Sequence, residues 1–235
     1  MASVVISGGT KGIGLSLVNQ FAQAGFNIAV CSRKESDLND LRNRLTKTFP
    51  NIKVYTYACD ASIKEEIIAF GQFAMKHLDN IDVLINNVGI FIPGSIGEEE
   101  DFVFEKIWNT NVSSAYHLSR CLLPIMKEKR AGYIFNMCST ASIVPYANGG
   151  SYCVSKFALL GFSKVLREEL KPFGIRVSSI IPGATDTASW EGSGISKERF
   201  INPDEVARLI FEFYKTPQNV NVEEIIIRPI LGDIV

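Results

Sequence analysis

Seven short apolar runs rich in β-branched residues recur along the chain, at residues 4–7, 27–31, 53–58, 81–86, 133–138, 176–181 and 224–228. They lack clear polar–apolar alternation, the pattern of strands buried on both faces of a sheet. Between them lie stretches with helical spacing, such as Leu15, Val18, Phe21 and Ala22, or Leu38, Leu41 and Leu45. The first stops at Gly25 and the second just before Pro50, both expected stop signals. Strands that alternate with helices specify βαβ units, hence an α/β, doubly wound parallel sheet of about seven strands with helices on both faces. No linker or low-complexity tract divides the 235 residues, so residues 1–235 are expected to form a single domain.

The formal net charge of −1 gives no bulk attraction to nucleic acid or to an anionic membrane, and a small-molecule partner is expected instead. Residues 1–3 run straight into Val4-Val5-Ile6 without a basic n-region, and no apolar run approaches the roughly 18 residues that span a bilayer. A cytoplasmic protein is the expectation. The five cysteines, Cys31, Cys59, Cys121, Cys138 and Cys153, are odd in number and form no CxxC pair, which reads as reduced, mostly buried thiols with no metal site.

The first strand runs into SGGTKGIG, residues 7–14, and then directly into a helix. Glycines at 8, 12 and 14 let the backbone turn tightly and approach a ligand, while a helix N-terminus directs unpaired N–H groups at an anion. At this position in a Rossmann-type fold the anion is a dinucleotide pyrophosphate, with Thr10 and Ile13 in the same turn. After the second strand come Ser32, Arg33 and Lys34, where a site for NAD usually places an acid on the ribose 2′-hydroxyl. Arg33 offers a planar donor fork for a phosphate, and Lys11 can approach the same ribose, so NADPH is expected over NADH.

Hydride reduction of a carbonyl needs an acid near the oxygen where charge develops. Tyr152 lies one helical turn before Lys156 in YCVSK, and a neighbouring cation favours the phenolate. Ser139 follows the fifth strand, where the sheet's carboxyl edge would hold its hydroxyl beside a substrate oxygen. Taken singly, the tyrosine–lysine pair also reads as a lysine stem packed on a ring, and the serine as the end of a strand.

The motifs SGGTKGIG, Cys59-Asp60, NNVG at 86–89, Asn111, Ser139, YCVSK and PGATDT at 182–187 occur in the order of the short-chain dehydrogenase/reductase family, which the chain resembles from residue 4 to about residue 187. Thirteen positions separate Ser139 from Tyr152, as is usual there. The resemblance implies that Tyr152 is the general acid/base, that Ser139 orients the carbonyl, and that Lys156 binds the nicotinamide ribose and lowers the tyrosine pKa. Asn111 would sustain a proton relay from a break in the helix expected over 101–129. It also implies Asp60 and Ala61 at the adenine, Asn87 and Gly89 at the adenosine ribose, and Pro182, Gly183, Thr185 and Thr187 at the nicotinamide amide. Two departures are Val88 for the usual alanine and Ser7 for the usual threonine.

The resemblance places a substrate lid at about 184–202 and leaves the substrate open. Phe91, Tyr146 and Trp190 are the candidate substrate contacts, or else core or interface aromatics. The tail VEEIIIRPILGDIV is similar to that of bacterial sepiapterin-reductase-like members, which favours a carbonyl or sepiapterin-like reductase, with Asp233 near a pterin. The alternatives are a 3-oxoacyl thioester reductase, an NAD-dependent alcohol dehydrogenase, and an NADPH-binding regulator without turnover. Family members pair through the helices expected here over 101–129 and 155–171, so a homodimer or homotetramer is implied.

Overall fold

The computed structural model describes residues 1–190, 192 and 194–234. Seven strands form one parallel sheet: β1 (Ser3–Ser7), β2 (Asn27–Ser32), β3 (Val54–Ala58), β4 (Val83–Asn86), β5 (Gly132–Met137), β6 (Ile175–Pro182) and β7 (Glu224–Ile227). Their order is β3-β2-β1-β4-β5-β6-β7. The strand order reverses between β1 and β4, and ligands of such sheets bind at that switch point, beyond the strands' carboxyl ends.

One face of the sheet is covered by α1 (Gly12–Gln23), α2 (Glu35–Thr48) and α7 (Pro203–Tyr214), which pack Leu17, Phe21, Leu45 and Ile210 against Ile6, Val30 and Phe135. The opposite face is covered by α3 (Lys64–His77), α5 (Ser114–Lys129) and α6 (Gly150–Leu170), through Ile67, Phe70, Leu118 and Leu166 against Val5, Leu84 and Ile134. Both faces are therefore dry, which is why the strand sequences do not alternate. On the first face Phe21 is fully buried, with the rings of Phe26 and Phe211 edge-on at 5.0 and 5.3 Å. Phe21→Ala should destabilise the fold by about 3–5 kcal/mol through lost transfer energy and the cavity left behind. Urea titration should show this as a lower midpoint with an unchanged m-value.

The local stop signals act where the sequence places them. Gly25 takes the left-handed φ of +82° just after α1, and α2 closes at Phe49, before Pro50. Two helices differ from expectation. The segment expected as one helix over 101–129 is α4 (Asp101–Trp108), a π-helical turn (Asn109–Ser113) and α5, and α6 begins at Gly150, five residues before the expected start. All five cysteines are free, and four are buried. Among the described residues no helix is long and apolar enough to cross a membrane.

A buried polar relay ties the sheet to the helices behind the switch point. Asn86 Nδ2 donates to Ser119 Oγ at 2.9 Å and to Asn136 Oδ1 at 2.7 Å, and Asn136 Nδ2 donates to Ser163 Oγ at 2.8 Å. These bonds leave one acceptor of the relay, Asn86 Oδ1, without a partner, but hydrogen-bonded polar groups in a dry core still favour one geometry. Here they fix β4, β5, α5 and α6 to one another.

Candidate active site

The glycine turn lies at the carboxyl end of β1 and opens α1. Gly8 and Gly12 have left-handed φ values of +74° and +51°, which suit glycine. A Cβ on Gly14 would overlap the Gly8 carbonyl oxygen and stand 2.5 Å from Asn87 Nδ2, so the turn closes on itself only without side chains. Gly9, which the motif reading leaves out, is equally constrained, since its Cβ would overlap Val30 Cγ2. The helix start carries no side-chain cap, which leaves its N–H groups for an anion. Such a cradle, filled by any Cβ and backed by a helix N-terminus, fits a dinucleotide pyrophosphate.

Beside it, Thr10 Oγ1 and Ser32 Oγ are hydrogen-bonded at 2.9 Å, with Lys11 and Arg33 exposed to either side. Asp60 accepts from Ser62 N at 2.9 Å and Ser62 Oγ at 2.7 Å. Burial works to raise its pKa, but the Ser62 bonds and the charges of Arg33 and Lys106 outweigh it and hold the carboxyl below its ordinary value. Ala61 is buried next to it. Asn87 Nδ2 donates to Ser7 O at 3.1 Å and Gly8 O at 2.7 Å, so this side chain braces the glycine turn. Ser7 Oγ receives Asn87 N at 3.1 Å and Val88 N at 3.3 Å, which shows that a hydroxyl, with or without the usual methyl, suffices to join β1 to β4. Val88 fits by packing on the Gly8 α-carbon, where a Cβ would meet Val88 Cγ2 at 2.8 Å.

The chemical groups converge on the far side of the cleft. Ser139 caps a 3₁₀ turn (Thr140–Ser142), and its Oγ accepts Ala141 N at 3.2 Å, which leaves the hydroxyl proton free to point elsewhere. Its neighbour is the Tyr152 phenol. Burial raises the pKa of that phenol, the Ser139 hydrogen bond lowers it, nearby Cys153 and Cys138 raise it, and the net direction is up. Lys156 Nζ donates to Met137 O at 2.8 Å and lies 5.7 Å from the Tyr152 ring centroid. Burial lowers its pKa from 10.5 to about 8, against a smaller opposing effect of Cys138. A Cβ on Gly89 would lie 3.4 Å from Lys156 Nζ and 3.6 Å from Asn111 Oδ1, so the end of the NNVG motif faces both.

Asn111 sits in the π-helical turn and is buried. Its Oδ1 accepts Ile90 N at 2.8 Å, and its Nδ2 donates to Ile90 O at 3.0 Å and Ser155 Oγ at 3.0 Å. The side chain thus clasps the loop after β4 and reaches α6. A π-turn commonly marks a functional position in a helix.

The Phe91 ring meets the Tyr152 ring edge-on at 4.9 Å, and Tyr146 is pushed up by burial and by Tyr152 and Cys153. Both are about 40–45% exposed, at the mouth. Trp190 instead packs on Phe200 at 5.2 Å and lines a cavity of about 520 Å³ with Gly12, Ser16, Asp186 and Thr187, on the α1 side. In the lid segment 184–202, Glu191 and Ser193 lie outside the described residues. Thr187 Cγ2 would be 3.1 Å from a Cβ on Gly12, which brings the PGATDT turn over the glycine turn. Pro182 ends β6, Gly183 N donates to Ile227 O at 2.7 Å, and the buried Thr185 donates to Gly183 O at 3.0 Å. Asp233 Oδ1 would be 2.9 Å from a Cβ on Gly183, so the tail packs on the same turn.

A family model described as short chain dehydrogenase matches residues 2–197. The chain belongs to the short-chain dehydrogenase family. It is 25% identical over 226 residues to an uncharacterized oxidoreductase of Staphylococcus epidermidis, with 96% of each chain covered. It is 26% identical over 239 residues to a sepiapterin reductase of Chlorobaculum tepidum, covering 98% of this chain and 97% of that one. Among solved structures it matches the L-sorbose reductase of Gluconobacter frateurii, in complex with NADPH and L-sorbose, at a TM-score of 0.89 and 25% identity, covering 97% and 95%. The fold also matches an alcohol dehydrogenase of Thermococcus sibiricus complexed with 5-hydroxy-NADP, at a TM-score of 0.90, 24% identity and coverage of 98% and 97%. This short-chain dehydrogenase is thus an oxidoreductase with the full parallel sheet of its family.

Proposed function

We propose that this short-chain dehydrogenase is an NADPH-dependent reductase of ketone or aldehyde carbonyls, with Tyr152 as general acid. The observation that carries this reading is the convergence of the Ser139 hydroxyl and the Tyr152 phenol, with Lys156 one turn on and its Nζ 5.7 Å from the Tyr152 ring centroid, beyond a phosphate-shaped glycine turn. NADPH, when bound, supplies the hydride. Gly8, Gly12, Ile13 and Gly14 would hold its pyrophosphate, and Thr10, Lys11, Ser32 and Arg33 its 2′-phosphate. Asp60 and Ala61 would meet the adenine, Asn87 and Gly89 the adenosine ribose side, and Pro182, Gly183, Thr185 and Thr187 the nicotinamide amide. The NADPH in the L-sorbose reductase complex and the lack of an acid at the end of β2 both support NADPH over NADH.

Ser139 holds the carbonyl oxygen with its free hydroxyl proton. Tyr152 gives its phenolic proton to that oxygen as negative charge builds. Lys156 binds the nicotinamide ribose and presents the cation that offsets the phenolate left behind. Asn111 keeps Ile90 and α6 in place, and the relay of protons to Tyr152 runs through water at its π-turn. Phe91 and Tyr146 flank the substrate, and Trp190 acts from the lid.

A neutral carbonyl compound is the favoured substrate over an anionic thioester carrier. Four consecutive acids, Glu98 to Asp101, include Glu99 at the start of α6, a concentration of negative charge that would repel an anionic carrier. The sepiapterin reductase relative and the Asp233 tail make pterin side-chain ketones the first compounds to try. The exposed Phe102, Phe104, Tyr116, Phe157 and Val165 of α4, α5 and α6 suit pairing of two copies through these helices in the cytoplasm.

NADPH oxidation against diketones, quinones, pterins and short 3-oxoacyl thioesters tests the reading. Turnover is expected with a neutral carbonyl, and NADPH binding without turnover across the panel would favour a regulator instead. Arg33→Asp should shift the NADPH/NADH preference in kcat/KM by about 10²-fold toward NADH, as loss of a charge-assisted phosphate contact and gain of repulsion dictate. An unchanged preference would remove Arg33 from the phosphate site.

A further inference from the structure

Helix α6 carries Tyr152 and Lys156, yet nothing in its own sequence caps it. Its N-cap is Gly149, without a side chain to accept a hydrogen bond, and its first turn contains no acidic residue. The first N–H groups of a helix need partners from outside. The partner here is Glu99, from the loop between β4 and α4. Glu99 Oε1 accepts Ser151 N at 2.9 Å, and Oε2 accepts Ser151 Oγ. Ser151 is the residue before Tyr152.

The surroundings are shaped for that carboxylate. A Cβ on Gly94 would stand 2.7 Å from Glu99 Cγ. A Cβ on Gly150 would overlap Glu99 Oε1 and stand 2.6 Å from Gly94 O. The loop is pinned there by Gly94 N donating to Asn148 O at 3.0 Å and by a parallel bridge between Gly94 and Gly149. Its other end is Ile90, clasped by Asn111, and Phe91, whose ring lies edge-on to Tyr152 at 4.9 Å. One loop therefore touches Tyr152 twice, through the peptide next to it and through its ring.

We propose that Glu99 is the positioning residue for Tyr152, an anionic cap supplied in trans that fixes the first turn of α6 and thereby aims the phenol at Ser139. The inference rests on Tyr152 being the acid of the proposed reaction. A carboxylate that accepts two bonds at the positive end of a helix gives a stronger, better-oriented cap than a neutral group. Proton transfer is sensitive to small displacements, so a frayed first turn lowers kcat while the distant cofactor cradle stays intact.

The test compares Glu99→Ala and Glu99→Gln in the full chain. Amide hydrogen exchange at 151–153 reports the cap without reference to activity. Glu99→Ala is expected to speed exchange there about tenfold and to lower kcat about tenfold or more, with NADPH Kd within about twofold. Glu99→Gln, which keeps one acceptor oxygen, should recover most of both. Unchanged exchange in Glu99→Ala overturns the cap, and faster exchange with unchanged kcat overturns the positioning role. If Glu99→Ala does not fold, Ser151→Ala takes its place, removing the hydroxyl bond alone, and an unchanged kcat there overturns the proposal. Tyr152→Phe distinguishes failure of the parent reading, since activity that survives it would remove the tyrosine as acid whatever the exchange data say.

Discussion

Tyr152→Phe is expected to lower kcat by about 10²–10⁴-fold, the range a positioned general acid contributes, while NADPH affinity stays within a few fold. The substitution removes one oxygen and keeps the ring that packs on Phe91. Stopped-flow or steady-state NADPH oxidation measures the effect, with fluorescence titration for the cofactor. Retention of more than about a tenth of the native kcat would be too much for a lost general acid and would sink the mechanism.

Lys156 should write its pKa into both rate and stability. As pH rises through about 8 the buried ammonium loses its proton, and the free enzyme's kcat/KM should fall with it. Lys156→Arg keeps a cation at every working pH. It should lower kcat/KM by on the order of 10²-fold through misplacement, and what remains should lack the limb near pH 8. The stability sign follows from the same shift. The folded pKa of about 8 lies below the ordinary 10.5, so between those values the unfolded chain binds more protons, and this group's contribution makes stability rise with pH across that window. Below about pH 8 the group carries its full penalty for burying a charge. Urea titrations from pH 7 to 10 should show this slope in the native protein and a weaker one in Lys156→Met. A slope identical in both would mean that Lys156 titrates at its ordinary value.

The fold was legible because it rests on local rules. Seven unalternating runs can be satisfied only by a sheet covered on both sides, and Gly25 and Pro50 end helices by chain geometry alone. The order of motifs identified the family before any contact was known. Less legible were the features that depend on residues distant in sequence. Asn111 stands out in the sequence only through the family resemblance, and its clasp on Ile90 forms only where the π-turn meets the loop after β4. Trp190 reads as a substrate, core or interface aromatic, and its packing on Phe200, on the α1 side of the lid, comes only from the tertiary structure. The pKa of Tyr152 shows the same limit. The sequence supplies a lysine one turn away, expected to lower the phenol's pKa, yet burial sets the direction upward in this structure, and the lysine's ammonium donates to the Met137 carbonyl.

By itself, then, the amino-acid sequence determined the parallel α/β architecture and the glycine turn that opens α1, because these follow from periodicity and backbone freedom, and it named the side chains proposed to carry chemistry. Only the tertiary structure decided how those side chains are held. Burial, which sets the pKa values of Tyr152 and Lys156, and the reach of Glu99 across 52 residues to Ser151 are long-range quantities, fixed only when the β4 loop closes on the start of α6.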